Sequence, residues 1–190
     1  MKNKSLKQIL FAHSAGKQDG PGEGSFDLVN TLQKELANEY HIHFPLIAQP
    51  DAPTYQMWKQ LFDAELQEKT EPMILIGHSL GASTLLKYLS EEKPTITILG
   101  LFLISTPFWS KKGWDTNDFV LKEGFESELP HIPYVFLYHS KDDDMVPFNH
   151  LDFYKKAFPK AMVRALKGND HAFENGLPVL VSDLKKLPTS

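Results

Sequence analysis

Four apolar residues in a row, Met73-Ile74-Leu75-Ile76, are opened by Pro72 and run directly into Gly77-His78-Ser79-Leu80-Gly81. Beyond Gly81, apolar residues recur at Ala82, Leu85, Leu86 and Leu89, which is helical spacing. A short unbroken apolar run reads as a strand covered on both faces, and strands of that kind belong to parallel sheets. Ser79 therefore falls on a strand-to-helix turn with a glycine two residues to either side. A side chain at 77 or 81 would obstruct the turn or the approach of helix to strand. A buried strand followed at once by a helix constrains the chain to layers of helix on a parallel sheet.

The rest of the chain keeps that alternation. Residues 6–12 (LKQILFA), 41–48 (HIHFPLIA), 95–105 (TITILGLFLIS), 133–139 (PYVFLYH) and 161–166 (AMVRAL) read as the other strands. One helix starts at a Ser25 N-cap and turns Leu28 or Val29, Leu32 and Leu36 to one side; another opens at Pro53-Thr54 with Trp58, Leu61, Phe62 and Leu66. A third follows Pro147 through Phe153, Tyr154 and Ala157, and a closing helix carries Pro178 in its first turn with Leu180 or Val181, Leu184 and Leu187 inward. Pro45 puts residues 41–48 at an edge, because proline cannot donate to a ladder. The expectation is an α/β chain: one domain over residues 1–190, a three-layer, doubly wound, six-stranded parallel sheet with right-handed crossovers. Such a sheet delivers the carboxyl ends of all its strands to one rim.

Residues 107–131 break the rhythm, with Phe108, Trp109, Trp114, Phe119 and Phe125 scattered among charges. Two readings stay open: a short lid or cap that shapes a pocket, or a connection whose aromatics plug into the core.

Several function classes are excluded by composition. Twenty Lys+Arg against 24 Asp+Glu give a net charge of −4 without a basic stripe, so nucleic acid is not an expected partner. The absence of cysteine removes disulfides, thiolate chemistry and Cys-ligated zinc, and fits a reducing compartment. Only a short apolar run follows Lys2, Lys4 and Lys7, and no stretch of 18 apolar residues exists, so the expectation is a soluble, cytoplasmic protein without a membrane partner. The glycine-rich residues 16–24 match neither phosphate-loop pattern and read as a surface loop. His41 and His43 share a strand face with no third ligand nearby and read as solvated rather than metal-binding.

Ser79 ends one strand, Asp142, Asp143 and Asp144 follow a later one, and His171 follows the last. A serine, a carboxylate and a histidine at one rim are the groups that nucleophilic acyl transfer uses. Each alone has a plainer reading, as a helix cap, an Asx turn or an exposed loop residue.

Taken in order, three stretches resemble the α/β-hydrolase superfamily. Gly77-His78-Ser79-Leu80-Gly81 is similar to its nucleophile elbow, Asp143-Asp144-Met145-Val146-Pro147 to its D-x-x-V-P segment, and Gly168-Asn169-Asp170-His171 to its histidine loop. The likeness covers essentially the whole chain and is to the small, nearly lidless members, among them the retinoblastoma-binding-protein-type hydrolases and short bacterial serine hydrolases. It implies a minimal α/β-hydrolase fold with sheet order 2-1-3-4-5-6. It further implies a Ser79, Asp143 and His171 triad and an oxyanion hole from the backbone N–H of Leu80 with that of Ala15 or Ser14. Members carry His-Gly after the first core strand, where this chain has His13-Ser14-Ala15-Gly16. The implied activity is that of a carboxylesterase-like serine hydrolase acting on a small acyl substrate, with no cofactor and no metal. The alternatives are a binding protein on the hydrolase fold or an acyltransferase. His78, Phe108, Trp109 and Trp114 are the expected pocket residues; His13, His78, His139 and His150 read as bystanders to the chemistry, His78 helping to shape the pocket without acting as the base.

Overall fold

Six strands, β1 (Lys7–Ala12), β2 (Tyr40–His43), β3 (Met73–His78), β4 (Ile98–Ile104), β5 (Val135–Ser140) and β6 (Met162–Leu166), pair in parallel throughout. Their order is β2-β1-β3-β4-β5-β6, as the resemblance implies. The computed structural model describes residues 6–67, 69–109 and 117–188. Around the sheet lie α1 (Phe26–Leu36), α2 (Tyr55–Leu66), α3 (Leu80–Glu92), α4 (Phe125–Glu128), α5 (His150–Ala157) and α6 (Pro178–Lys185). No helix among the described residues is long and apolar enough to cross a membrane.

Successive strand side chains point to opposite faces, so the central strands supply two cores at once. Ile9 and Phe11 of β1, Ile74 and Ile76 of β3, and Phe102 and Ile104 of β4 pack with Leu28 and Leu32 of α1 and Leu180 and Leu184 of α6. Leu10, Leu75, Leu101 and Leu103 face the other way, onto Trp58 and Phe62 of α2 and Leu85, Leu86 and Leu89 of α3. Three layers result. Polar ties fasten α6 to its face: Asp183 accepts two bonds from Arg164 of β6, at 2.9 and 2.8 Å, and one from the Tyr138 hydroxyl of β5 at 2.8 Å.

Some boundaries differ from the sequence reading. β2 lies at the edge, but it ends at His43 and Pro45 falls outside it, because a residue without an N–H ends the ladder rather than joining it. Thr54 does cap α2, its hydroxyl accepting from Met57 N–H at 3.3 Å. Ser25 occupies the N-cap position of α1, yet its side chain makes no capping bond, having partners elsewhere. The described residues within 107–131 include a 3₁₀ turn at Asn117–Phe119 and the one-turn α4.

At the β3–α3 turn the two glycines do different work. A Cβ on Gly77 would lie 2.4 Å from the Ala82 Cα, and one on Gly81 would lie 2.2 Å from the His13 carbonyl oxygen and 2.3 Å from that of Ala12. All these neighbours are backbone and cannot swing aside. Gly81→Ala and Gly77→Ala are each expected to destabilise the protein by about 1–3 kcal/mol or more in urea unfolding. Gly20→Ala, whose Cβ would meet only Glu23 at 3.5 Å, should change stability little. Equal midpoints for all three variants would refute the packing argument.

Candidate active site

Loops leaving the carboxyl ends of the strands surround one cavity of about 480 Å³, whose lining includes Ser14, Ala15, Ser79, Met145, Gly168 and His171. It opens where the sheet changes winding direction, between β1 and β3, the place where sheets of this kind hold ligands.

Ser79 is the residue between β3 and α3, at φ 52° and ψ −123°, a region that side-chain-bearing residues avoid. Its N–H donates to the Ile104 carbonyl at 2.8 Å, which holds the turn against β4. Gly77 and Gly81 let helix and strand close around it, so the strained backbone is imposed by its surroundings.

His171 leaves β6 through the positive-φ residues Gly168 and Asp170. Its Nδ1 lies 3.0 Å from both carboxylate oxygens of Asp143. A carboxylate only accepts, so Nδ1 carries the hydrogen and Nε2 keeps a free lone pair, the tautomer a general base needs. Asp143 is itself held from behind. Its Oδ1 accepts from Met145 N–H at 3.0 Å and Val146 N–H at 2.8 Å, and His139 Nε2 stands 3.3 Å from Oδ2. Burial works to raise this carboxyl, but the bonds from His139, His171 and Val146 outweigh it and hold it well below the usual carboxylate range.

Ser79 and His171 line the same cavity, while the hydrogen bonds of the His171 ring run only through Nδ1 to Asp143. Among the described residues, no hydrogen bond joins the Ser79 hydroxyl to His171 Nε2.

The neighbouring aspartates have other tasks. Asp142 accepts from the Ser140 hydroxyl and, through both oxygens, from Gly168 N–H at 2.9 and 2.8 Å, latching the acid loop to the histidine loop. Asp144 is exposed at the cavity rim.

The two candidate donors after β1 are not equivalent. Ser14 N–H donates to Ser25 Oγ at 2.9 Å and is therefore taken, which corrects its place in the expected oxyanion hole. Ala15 N–H has no partner among the described residues and lines the cavity. Leu80 N–H stands in the first turn of α3, where helical N–H groups lack an intrahelical acceptor. The glycine-rich loop is pinned from inside: buried Gln18 donates to the Ser14 and Gly16 carbonyls, both at 3.1 Å, and accepts from Ser25 N–H at 2.6 Å.

Two further sequence readings are corrected. His78 is fully buried and does not line the cavity; its Nδ1 meets Ser25 Oγ at 2.8 Å and its Nε2 meets the His171 carbonyl at 2.9 Å. Phe108 and Trp109 do not line it either. Both are half-buried and pack against the α2–α3 core, with Trp109 Nε1 donating to Ser83 Oγ at 2.8 Å, while Phe108 lines a separate cavity of about 500 Å³ with Leu121 and Phe125. Trp114, the fourth expected pocket residue, lies outside the described residues. Nor are the other histidines idle. His13 accepts from Ile47 N–H at 3.3 Å and donates to the Ser14 carbonyl at 2.7 Å, and His150 accepts from Phe108 N–H at 2.8 Å. His139 donates to the Val146 carbonyl at 2.9 Å beside Asp143. Only the His139-to-Asp143 spacing of four was visible in the sequence, and spacing alone does not say which face a loop presents. His41 and His43 do share a face, 3.1 Å apart, and no group of three or more His, Cys, Asp or Glu among the described residues is placed to hold a metal.

Residues 30–176 match the model of the family described as serine hydrolase. No curated protein matches the chain. Among solved structures, the ydeN gene product from B. subtilis is 19% identical with a TM-score of 0.71, covering 96% of this chain and 98% of its own. Alpha/beta hydrolase domain-containing protein 10 from mouse is 15% identical with a TM-score of 0.64, covering 98% and 91%. XC6422 from Xanthomonas campestris, an α/β serine hydrolase without a lid, is 14% identical with a TM-score of 0.60, covering 100% and 87%. At these identities the likeness is one of fold.

The depressed Asp143 carboxyl carries a stability signature that is independent of activity. A carboxyl held below its unfolded value, about 3.9, contributes stability above that pH and loses the contribution as pH falls. The stability difference between the native chain and Asp143→Asn should therefore be greatest at neutral pH and shrink below about pH 4. A difference in urea-unfolding free energy that stayed constant down to pH 3 would contradict the bonding described for this carboxylate.

Proposed function

Given that the chain belongs to the serine hydrolase family, we propose that it hydrolyses small acyl esters through an acyl-enzyme on Ser79, with His171 as general base and Asp143 as its orienting partner. The observation that carries this reading is the His171 ring itself. It is fixed by a multiply bonded, fully buried carboxylate, with its lone pair free, in the cavity that Ser79 lines.

In the first half-reaction His171 Nε2 takes the Ser79 hydroxyl proton as the oxygen attacks the substrate carbonyl. Asp143 stabilises the imidazolium that forms, and its low affinity for protons keeps it charged while it does so. The negative charge on the carbonyl oxygen falls to the N–H groups of Leu80 and Ala15; losing one such donor costs about 3 kcal/mol. The imidazolium then protonates the departing alcohol. In the second half, water adds to the acyl-enzyme with His171 again as base, and the acid and the free serine are released. None of these steps calls on a cofactor. The acyl group would meet the loops that line the cavity, among them those carrying Ala15, Met145 and Phe173.

Incubation with a fluorophosphonate probe should label the native chain stoichiometrically and Ser79→Ala not at all, with both folded by circular dichroism. Persistent labelling of the variant would remove Ser79 from its role. An unlabelled native chain would support the binding-protein alternative instead, and product analysis in the presence of alcohols would expose acyl transfer. Asp143→Asn should lose on the order of 10⁴ in kcat on a cleaved ester, by the precedent of the serine-protease aspartate. Asp144→Asn should lose less than tenfold. Asp142→Asn is expected to fall between them, because it loosens the latch on Gly168 without touching the ring.

A further inference from the structure

A buried line of three hydrogen bonds joins two loops that the sequence keeps far apart. Ser14 N–H donates to Ser25 Oγ at 2.9 Å; Ser25 Oγ meets His78 Nδ1 at 2.8 Å; His78 Nε2 meets the His171 carbonyl at 2.9 Å. The direction of every proton follows from the ends. The His171 carbonyl can only accept, so His78 Nε2 carries a hydrogen and Nδ1 is a lone pair. Ser25 must then donate its hydroxyl proton to Nδ1 and accept from Ser14. Each polar atom of the imidazole is matched in a site with no solvent exposure, an arrangement that an apolar core residue could not supply.

The ring is closed off from acid–base chemistry. Burial and the neighbouring His171 push His78 down to about 3, so it stays neutral. It also lies against the His171 ring, centroid to centroid 5.1 Å and tilted by 34°, with Phe173 edge-on at 5.9 Å.

The geometry points to His78 as a positioning residue. Its imidazole couples the loop after β1, which presents the Ala15 N–H, to the loop after β6, which presents His171, so that the oxyanion donor and the base keep one spacing across the cavity. The coupling is a property of the fold, and its catalytic consequence rests on the hydrolase reading above. Because His78 immediately precedes Ser79, all three reacting elements are referred to one dipeptide.

The test uses His78→Leu, which keeps bulk and removes both bonds, and Ser25→Ala, which cuts the line at its other member. It adds His78→Gln, whose amide oxygen and N–H can stand in for Nδ1 and Nε2. Hydrogen exchange followed by mass spectrometry should show protection lost together in residues 13–18 and 168–173 for His78→Leu and Ser25→Ala. Protection should be unchanged within β3 and α3 and restored in His78→Gln. The fluorophosphonate labelling rate should fall about 100-fold in His78→Leu, the scale of a 1 Å misplacement. In His78→Gln it should return towards the native rate, with Ser79→Ala blank throughout. If His78→Leu does not fold, Ser25→Ala decides. Protection lost in one loop only, in neither, or throughout β3 and α3 overturns the coupling, as does failure of glutamine to rescue. A native chain that is never labelled refutes the hydrolase reading alone, because exchange still decides the coupling.

Discussion

The approach of helix α3 to the end of strand β1 is the contact on which the site depends. Gly81 lies against the carbonyl oxygens of Ala12 and His13 so closely that even a methyl group has no room. That closeness brings the first turn of α3, with the Leu80 N–H, beside the loop that carries Ala15. It also leaves the chain between Gly77 and Gly81 no relaxed conformation, and Ser79 takes up the difference in a positive φ. The sheet on either side makes the strain bearable: β3 is buried along its whole length and tied to β1 and β4. Strain at one residue is small beside the burial of two cores.

Around this turn the ionisable groups sort themselves by environment. His13 and His78 are enclosed and held neutral by burial, with each ring nitrogen committed to a neighbour. Asp143 is enclosed too, but it is supplied with donors on both oxygens and stays charged. A charged carboxylate and two neutral imidazoles thus lie enclosed close together around the turn. Hydrogen-bond supply, rather than burial, separates the carboxylate from the histidines.

Where the sequence was informative, the reason is periodicity. The apolar runs alternate with helical stripes, and right-handed crossovers then leave few ways to order six parallel strands; the edge place of β2 and the central place of β4 follow. Glycines at 77 and 81 announce a turn because only a backbone with nothing attached can pass there. Long-range polar pairing has no such periodicity. Ser25 looks like a helix cap from its neighbours alone, and nothing local shows that its hydroxyl meets a histidine 53 positions later. Ser14 and Ala15 are adjacent N–H donors in one loop, and only the fold reveals that one is already bound. Phe108 and Trp109 illustrate the same limit for apolar groups, since an aromatic in a loop has the same letters whether it lines a cavity or seals a core.

The brevity of β2 has a consequence beyond the site. An open sheet ends in rows of unpaired backbone groups that another chain can extend by pairing. Here that margin is four residues long, carries His41 and His43 and is followed at once by Phe44 and Pro45, which turn the chain away from the sheet. A strand arriving from a second molecule would find a ladder too short to hold it and a ring where the next donor should be. The protein therefore guards itself against fibre-like growth at the margin nearest its first strand, leaving the rim with its short loops free to remain open.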